Sequence, residues 1–143
     1  MLPTRLLRQT DGADRLSLTF RFEDGTTTPD AGSQDNLADL AQMLEAGLFK
    51  GKSLILAGFS DSQGSVQANF DLSQGRADAV MAALKALVPG LPVAQLPVIG
   101  AFGGALPLAC DAVAAGRRLN RRVEVWEKPA FVRDISATDS LVP

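Results

Sequence analysis

The segment SLILAGF, residues 53–59, constrains this chain more than any other stretch. Leu54, Ile55, Leu56 and Ala57 follow one another without a polar interruption, so both faces of an extended chain are apolar there. Such a strand belongs in the middle of a sheet, covered on both sides. It runs into Gly58-Phe59-Ser60-Asp61 and turns at Gly64-Ser65. A long amphipathic pattern follows through Val66, Phe70, Ala77, Val80, Met81, Leu84 and Leu87, and Pro89-Gly90 stops it. Strand, turn and helix form the unit that the other elements pack around.

Upstream, Arg15 to Phe22 alternates, with Leu16, Leu18, Phe20 and Phe22 on one face and Ser17, Thr19 and Arg21 on the other. That period of two marks a half-buried strand. Glu23-Asp24-Gly25 breaks it. Leu37, Leu40, Ala41, Leu44 and Leu48 then share one helical face, with a start near Asp30 or Ser33 and an end at Gly47 or Gly51. Pro92 and Pro97 restrict the third strand to Pro97–Phe102, near a sheet edge. Ala112–Leu119 has room for a turn of helix, and RRVEVWE, residues 121–127, is the last strand, with Val123 and Val125 inward. Gly75 within the second helix suggests a close approach.

The order β-α-β-α-β-(α)-β predicts an α/β sandwich of two layers, with both long helices on one face and the first three strands parallel. Residues 1–14 read as an arm, 15–127 as the single domain and 128–143 as a tail.

Composition removes several functions. The chain of 143 residues carries a formal net charge of −2, against the basic field of a dedicated nucleic-acid binder. It has no histidine, so the commonest general base and zinc ligand are absent, and Ser60, Ser62, Ser65 and Ser73 have no imidazole to activate them. A single cysteine, Cys110, allows no internal disulfide and leaves the redox compartment unset. No apolar run reaches the ~20 residues of a membrane span, and MLPTRLLRQTDGAD is not a signal peptide. The chain is therefore either cytosolic or a piece of a longer exported protein. GAFGG, residues 100–104, lacks the pattern of a phosphate loop. No cofactor or metal is expected.

Two charged residues stand out. Asp61 lies at the carboxyl end of the buried strand, where open sheets bind ligands, and Arg76 follows fifteen positions later on the helix. Either can be ordinary: a turn-capping aspartate, and a surface arginine laid along its helix. For them to meet, the helix must begin beyond the sheet edge and run back over it. Polar Gln67, Asn69, Asp71, Ser73 and Gln74 ahead of Ala77 fit such an overhang. Glu23 and Asp61, both at strand ends, leave a carboxylate hydrolase as a remote alternative. The arginines of GRRLNRR, residues 116–122, read as a solvated strand entry with one or two ion pairs, ahead of a phosphate or nucleic-acid patch.

GFSDSQGSVQANFDLSQGRADAV, residues 58–80, resembles the GHTDxxGxxxxNxxLSxxRAxAV signature of OmpA-like C-terminal domains, and GRRLNRRVEVW their closing GRxxNRRVE motif. The resemblance runs from about Leu16 to Trp126. It implies a mixed four-stranded sheet with the last strand inserted antiparallel between the first and second. It further implies non-catalytic binding of peptidoglycan through the diaminopimelate of the stem peptide, in the periplasm or at the outer membrane, with the export signal upstream. Asp61 and Arg76 match the residues that hold the ammonium and carboxylate of that amino acid. Asn69, Leu72 and Ser73 match further motif positions, Ser60 keeps the hydroxyl before the aspartate, and Phe22-Glu23 occupies a Phe-Asp position that can help receive the ammonium.

The departures are Phe59 for histidine, Ala101 for a glycine, Gly104 for an acid and Pro29 for an apolar residue. Phe59 and Ala101 favour the alternative of an interaction module that kept the fold and lost the ligand. FRFEDGTT and PLACD resemble OmpA-like domains fused behind phosphate-transporter-type substrate-binding domains.

Overall fold

The structure, a computed structural model, describes residues 14–92, 97–104, 109–110 and 112–129. Most of the expected arm and tail lies outside these residues. Four strands, β1 (Asp14–Arg21), β2 (Lys52–Gly58), β3 (Val98–Ala101) and β4 (Arg122–Pro129), alternate with α1 (Ala31–Glu45), α2 (Val66–Leu87) and the short α3 (Ala114–Asn120). The sheet order is β1-β4-β2-β3. β4 is antiparallel to both neighbours and β2 and β3 are parallel, so the sheet is mixed and the architecture α+β. The insertion of the last strand beside the first is as the resemblance implies.

β2 is interior, and every residue from Leu54 to Gly58 is buried, which its unbroken apolar run requires. Leu54 and Leu56 face the helices with Val123 and Val125 of β4, and Leu40, Leu44, Val80 and Leu84 close the main core from above. β3 is the edge strand that the flanking prolines predict. β4 extends further than expected, because Ser53 and Lys52 pair with Lys128 and Pro129. Its alternation also differs from the expectation: Arg122 and Glu124 face away from the helices yet are 4% exposed each. Glu124 accepts from Arg122 Nε at 2.7 Å and from Trp126 Nε1 at 3.2 Å, which makes that burial affordable.

Both long helices start on side-chain caps. Asp30 accepts from the Ser33 amide, and Ser65 from that of Ala68. The decisive contact is at Gly58. A β-carbon there would lie 2.1 Å from the Ser73 carbonyl oxygen, so only glycine lets α2 rest directly on the end of β2. Residues 66–72 therefore overhang the strand, as the polar half-helix predicts. Contact with the sheet begins at Ser73, one turn earlier than the apolar pattern indicates. The overhang is supported from below: Ser73 Oγ accepts from the Gly103 amide at 3.0 Å, and the Ser60 amide donates to the Gly103 carbonyl at 2.8 Å.

Candidate binding site

The site forms where the exits of β1 and β2 meet the overhanging start of α2 and the junction of α3 with β4. At the β1 exit, Phe22 bridges back to Pro29 and closes a tight loop with a turn from Glu23 to Thr26. Gly25, at φ +68°, supplies the left-handed position that the turn needs. Gly75 gives the loop its seat: a β-carbon there would lie 3.0 Å from Thr27 Cγ2. The close approach expected at Gly75 is thus the packing of this loop on α2.

Arg76 is wholly buried under the loop. Its Nε donates to the Thr26 carbonyl at 2.9 Å, Nη2 to the Glu23 carbonyl at 3.4 Å and Nη1 to the Phe59 carbonyl at 3.5 Å. The guanidinium carbon lies 5.4 Å from the centre of the Phe22 ring. Arg76 therefore ties the β1 loop to the β2 exit. Burial, and next the neighbouring charge of Arg121, lower its pKa from the ordinary arginine value to about 10, while Asp61 and Asp24 oppose the shift. It is cationic at neutral pH.

Asp61 does not pair with Arg76. Its Oδ2 accepts from Arg121 Nη1 at 3.1 Å, and Oδ1 accepts from the Gln63 amide at 3.0 Å. Arg121 also donates through Nε to the Phe22 carbonyl at 3.2 Å. The two-pole pair expected from sequence is thus a three-membered cluster, with Arg121 as the direct partner of Asp61 and Arg76 close enough to feel both charges. The arginine entry carries ion pairs, as expected, and Arg118 is exposed, but Arg121 and Arg122 are not solvated, being 8% and 4% exposed. Arg121 belongs to the closing motif, and its ion pair with Asp61 is buried where a solvated one was expected.

The remaining residues divide into contributors and braces. Glu23 lends its carbonyl to Arg76, while its side chain stands at the rim, 3.6 Å from Arg118 Nη2, with both side chains more than half exposed. Such a pair adds little stability. Asp24, passed over in the sequence, is the other acid whose charge acts on Arg76. Phe22 is buried beneath Arg76, with its carbonyl on Arg121. Ser60 is buried and its hydroxyl donates to the Asp61 carbonyl at 2.9 Å, so it shapes the turn. Asn69 is buried beside Ser62 and Gly103 in the wall of an adjacent groove, and Leu72 is half-buried on α2.

Phe59 points away from all of these. Its ring stacks on Phe102 with centroids 5.6 Å apart, and the Arg122 guanidinium lies 3.9 Å from its centre on the face opposite the helices. Ala101 is buried at the end of β3 beside Gly58. Neither departure from the signature narrows the cluster.

A buried carboxylate thus lies among two buried guanidinium groups at one end of a mixed β1-β4-β2-β3 sheet. The chain belongs to the OmpA family, whose model matches residues 21–121. It is 33% identical over 113 residues to the probable lipoprotein YiaD of Escherichia coli, an alignment covering 79% of this chain and 48% of the relative. The chain thus spans about half the length of that relative. Among solved structures, it is similar to the peptidoglycan-associated lipoprotein of Burkholderia pseudomallei (26% identity, TM-score 0.66, covering 78% of this chain and 91% of the other). It is also similar to the cell wall anchor of the T6SS of Pseudomonas aeruginosa (25% identity, TM-score 0.60, covering 86% and 94%).

Proposed function

We propose that this domain anchors an envelope protein, on the periplasmic side, by non-covalent binding of the peptidoglycan stem peptide through its diaminopimelate. The observation that carries the reading is the buried Asp61–Arg121–Arg76 cluster. The free end of diaminopimelate is an amino acid and needs an anion for its ammonium and a cation for its carboxylate. Asp61 is fixed by Arg121 and the Gln63 amide and keeps lone-pair capacity for an ammonium. Of the five N–H groups of Arg76, three are used on carbonyls, which leaves two for a carboxylate. Two buried guanidinium groups against one buried carboxylate leave a net positive site, suited to the carboxylate end. In this reading Phe22, Ser60 and Leu72 shape the pocket, Glu23 stands at its rim and Asn69 lines its extension.

The names of the peptidoglycan-associated lipoprotein and the T6SS cell wall anchor agree with this reading. The features that favoured the interaction-module alternative do not support it, because the Phe59 ring lies against Phe102 and Arg122 and Ala101 pairs with Gly58. The hydrolase alternative fares no better, since Asp61 and Glu23 are paired with different arginines. Co-sedimentation with purified peptidoglycan tests the proposal, using Asp61→Asn as the variant and circular dichroism to confirm its fold. At least a tenfold loss of bound protein is expected. Undiminished binding by the folded variant refutes the pocket assignment.

A further inference from the structure

Arg76 is 0% exposed, and the loop of residues 23–28 lies over it. The two bonds that join them fall on one edge of the guanidinium: Nε donates to the Thr26 carbonyl at 2.9 Å and Nη2 to the Glu23 carbonyl at 3.4 Å. That edge presents two N–H groups side by side, and a carboxylate engages it with both oxygens. Two backbone carbonyls of the chain itself therefore stand where the oxygens of a ligand carboxylate would. The N–H groups left over by the carbonyl contacts are covered too, because the side chain is wholly buried.

The loop that makes this contact is held lightly. Its sequence, EDGTTT, has no side chain for the apolar core, and all of it but Thr26 is exposed. Thr26 folds back on the Glu23 carbonyl through its amide and its hydroxyl, both at 3.1 Å, so the turn is stiff within itself. The bridge between Phe22 and Pro29 closes its base. Beyond these and the bonds from Arg76, two side-chain ties remain among the described residues: Thr27 resting on Gly75, and Glu23 at 3.6 Å from Arg118 across the rim. A stiff turn on a narrow base, tied at its tip by a methyl group and an exposed ion pair, belongs to the segments that open most easily.

We infer that this loop is a gate shut on Arg76 by an autoinhibitory contact, and that ligand binding lifts it and replaces the Thr26 and Glu23 carbonyls with a carboxylate. The exchange is favourable at Arg76, since two neutral acceptors give way to an anion in bidentate contact. The Glu23 carbonyl loses little, because Thr26 already supplies it with two donors, and the Thr26 carbonyl turns to water. A neutral group cannot drive the exchange, so the gate also selects for a carboxylate. Arg118, at an unspecified position of the closing motif, acts as a latch through Glu23. The inference rests on the peptidoglycan reading, in which that carboxylate belongs to diaminopimelate.

Cross-linking the loop tests the gate on the whole chain. Thr27→Cys and Gly75→Cys, in a Cys110→Ser background, place two thiols within disulfide reach, since a β-carbon at Gly75 would lie 3.0 Å from Thr27 Cγ2. The oxidised form should bind a meso-diaminopimelate stem peptide at least about tenfold more weakly than the reduced form, and reductant should restore binding. Exchange of the Arg76 Nε–H with solvent, read by NMR without ligand, should slow by a similar factor on oxidation. Thr27→Ala with Arg118→Gln removes both side-chain ties at exposed positions, so the fold is kept, and should speed that exchange about threefold. Oxidised and reduced forms that bind and exchange alike, or a doubly substituted chain whose exchange is unchanged, would overturn the gate and leave the peptidoglycan reading standing. Absence of peptide binding by the wild type would overturn that reading, and the exchange rates would then judge the gate without a ligand.

Discussion

Arg121 Nη1 lies 3.1 Å from Asp61 Oδ2, and both side chains are less than a tenth exposed. This pair links the start of β4 to the exit of β2 and fixes the carboxylate at the centre of the site. Removing one partner of such a pair strands the other charge in a poorly solvated place. Asp61→Ala should therefore lower stability by about 3 kcal/mol, and Arg121→Met by a similar amount. The double variant should cost clearly less than the sum, with a coupling of about 2 kcal/mol. Urea denaturation of the four proteins measures this, and strict additivity would show that the pair contributes nothing.

Gly58 is the second structural requirement. Gly58→Ala places a methyl group against the Ser73 carbonyl, a backbone atom of a long helix that cannot rotate aside. A loss of about 3 kcal/mol is expected, together with weakened ligand binding, because Arg76 must move with α2. Thermal unfolding and peptide titration read both effects.

Phe59→His, which restores the residue of the OmpA-like signature, should have the opposite profile. The ring lies against Phe102 and Arg122 on the far face of the sheet. Stability should fall by about 1–2 kcal/mol, while ligand affinity stays within about twofold. A large change in affinity would mean that position 59 reaches the ligand.

Arg76 supplies a pH signature. Its pKa in the folded chain is about 10, lowered by burial from the ordinary arginine value. Between those values the unfolded chain holds a proton that the folded chain lacks, so this group makes stability rise with pH across that window. Below pH 10 the penalty for burying the charge is present in full. A bound carboxylate favours the charged form and must raise the pKa. The guanidinium carbon resonance should titrate near pH 10 in the free protein and higher under saturating ligand. An unmoved midpoint would place the carboxylate elsewhere.

Much of this was legible in the sequence because local patterns and long-range packing agreed. The continuous run at Leu54–Ala57 specified an interior strand, the prolines flanking β3 specified an edge, and the polar half of α2 specified an overhang. Asp61 and Arg76 were legible as charges at a sheet exit. Their relationship was not, because ion pairing depends on which side chain of a distant element arrives first. Arg121 arrives 60 positions after Asp61, within a charge run that gives no sign of which members turn inward. Arg122 and Glu124 were misread for a related reason. Alternation assigns opposite faces, but it does not show that the second face is also covered.

The central claim, that the cluster holds the amino-acid end of diaminopimelate, is tested most directly by exchanging that residue. Two stem peptides, identical except for meso-diaminopimelate or lysine at the third position, differ by one carboxylate. Titrated into isotope-labelled protein, the diaminopimelate peptide should shift the Arg76 and Arg121 guanidinium resonances saturably and bind at least tenfold more tightly. Equal affinity for the two peptides, or no saturable shift at either arginine, would contradict the account.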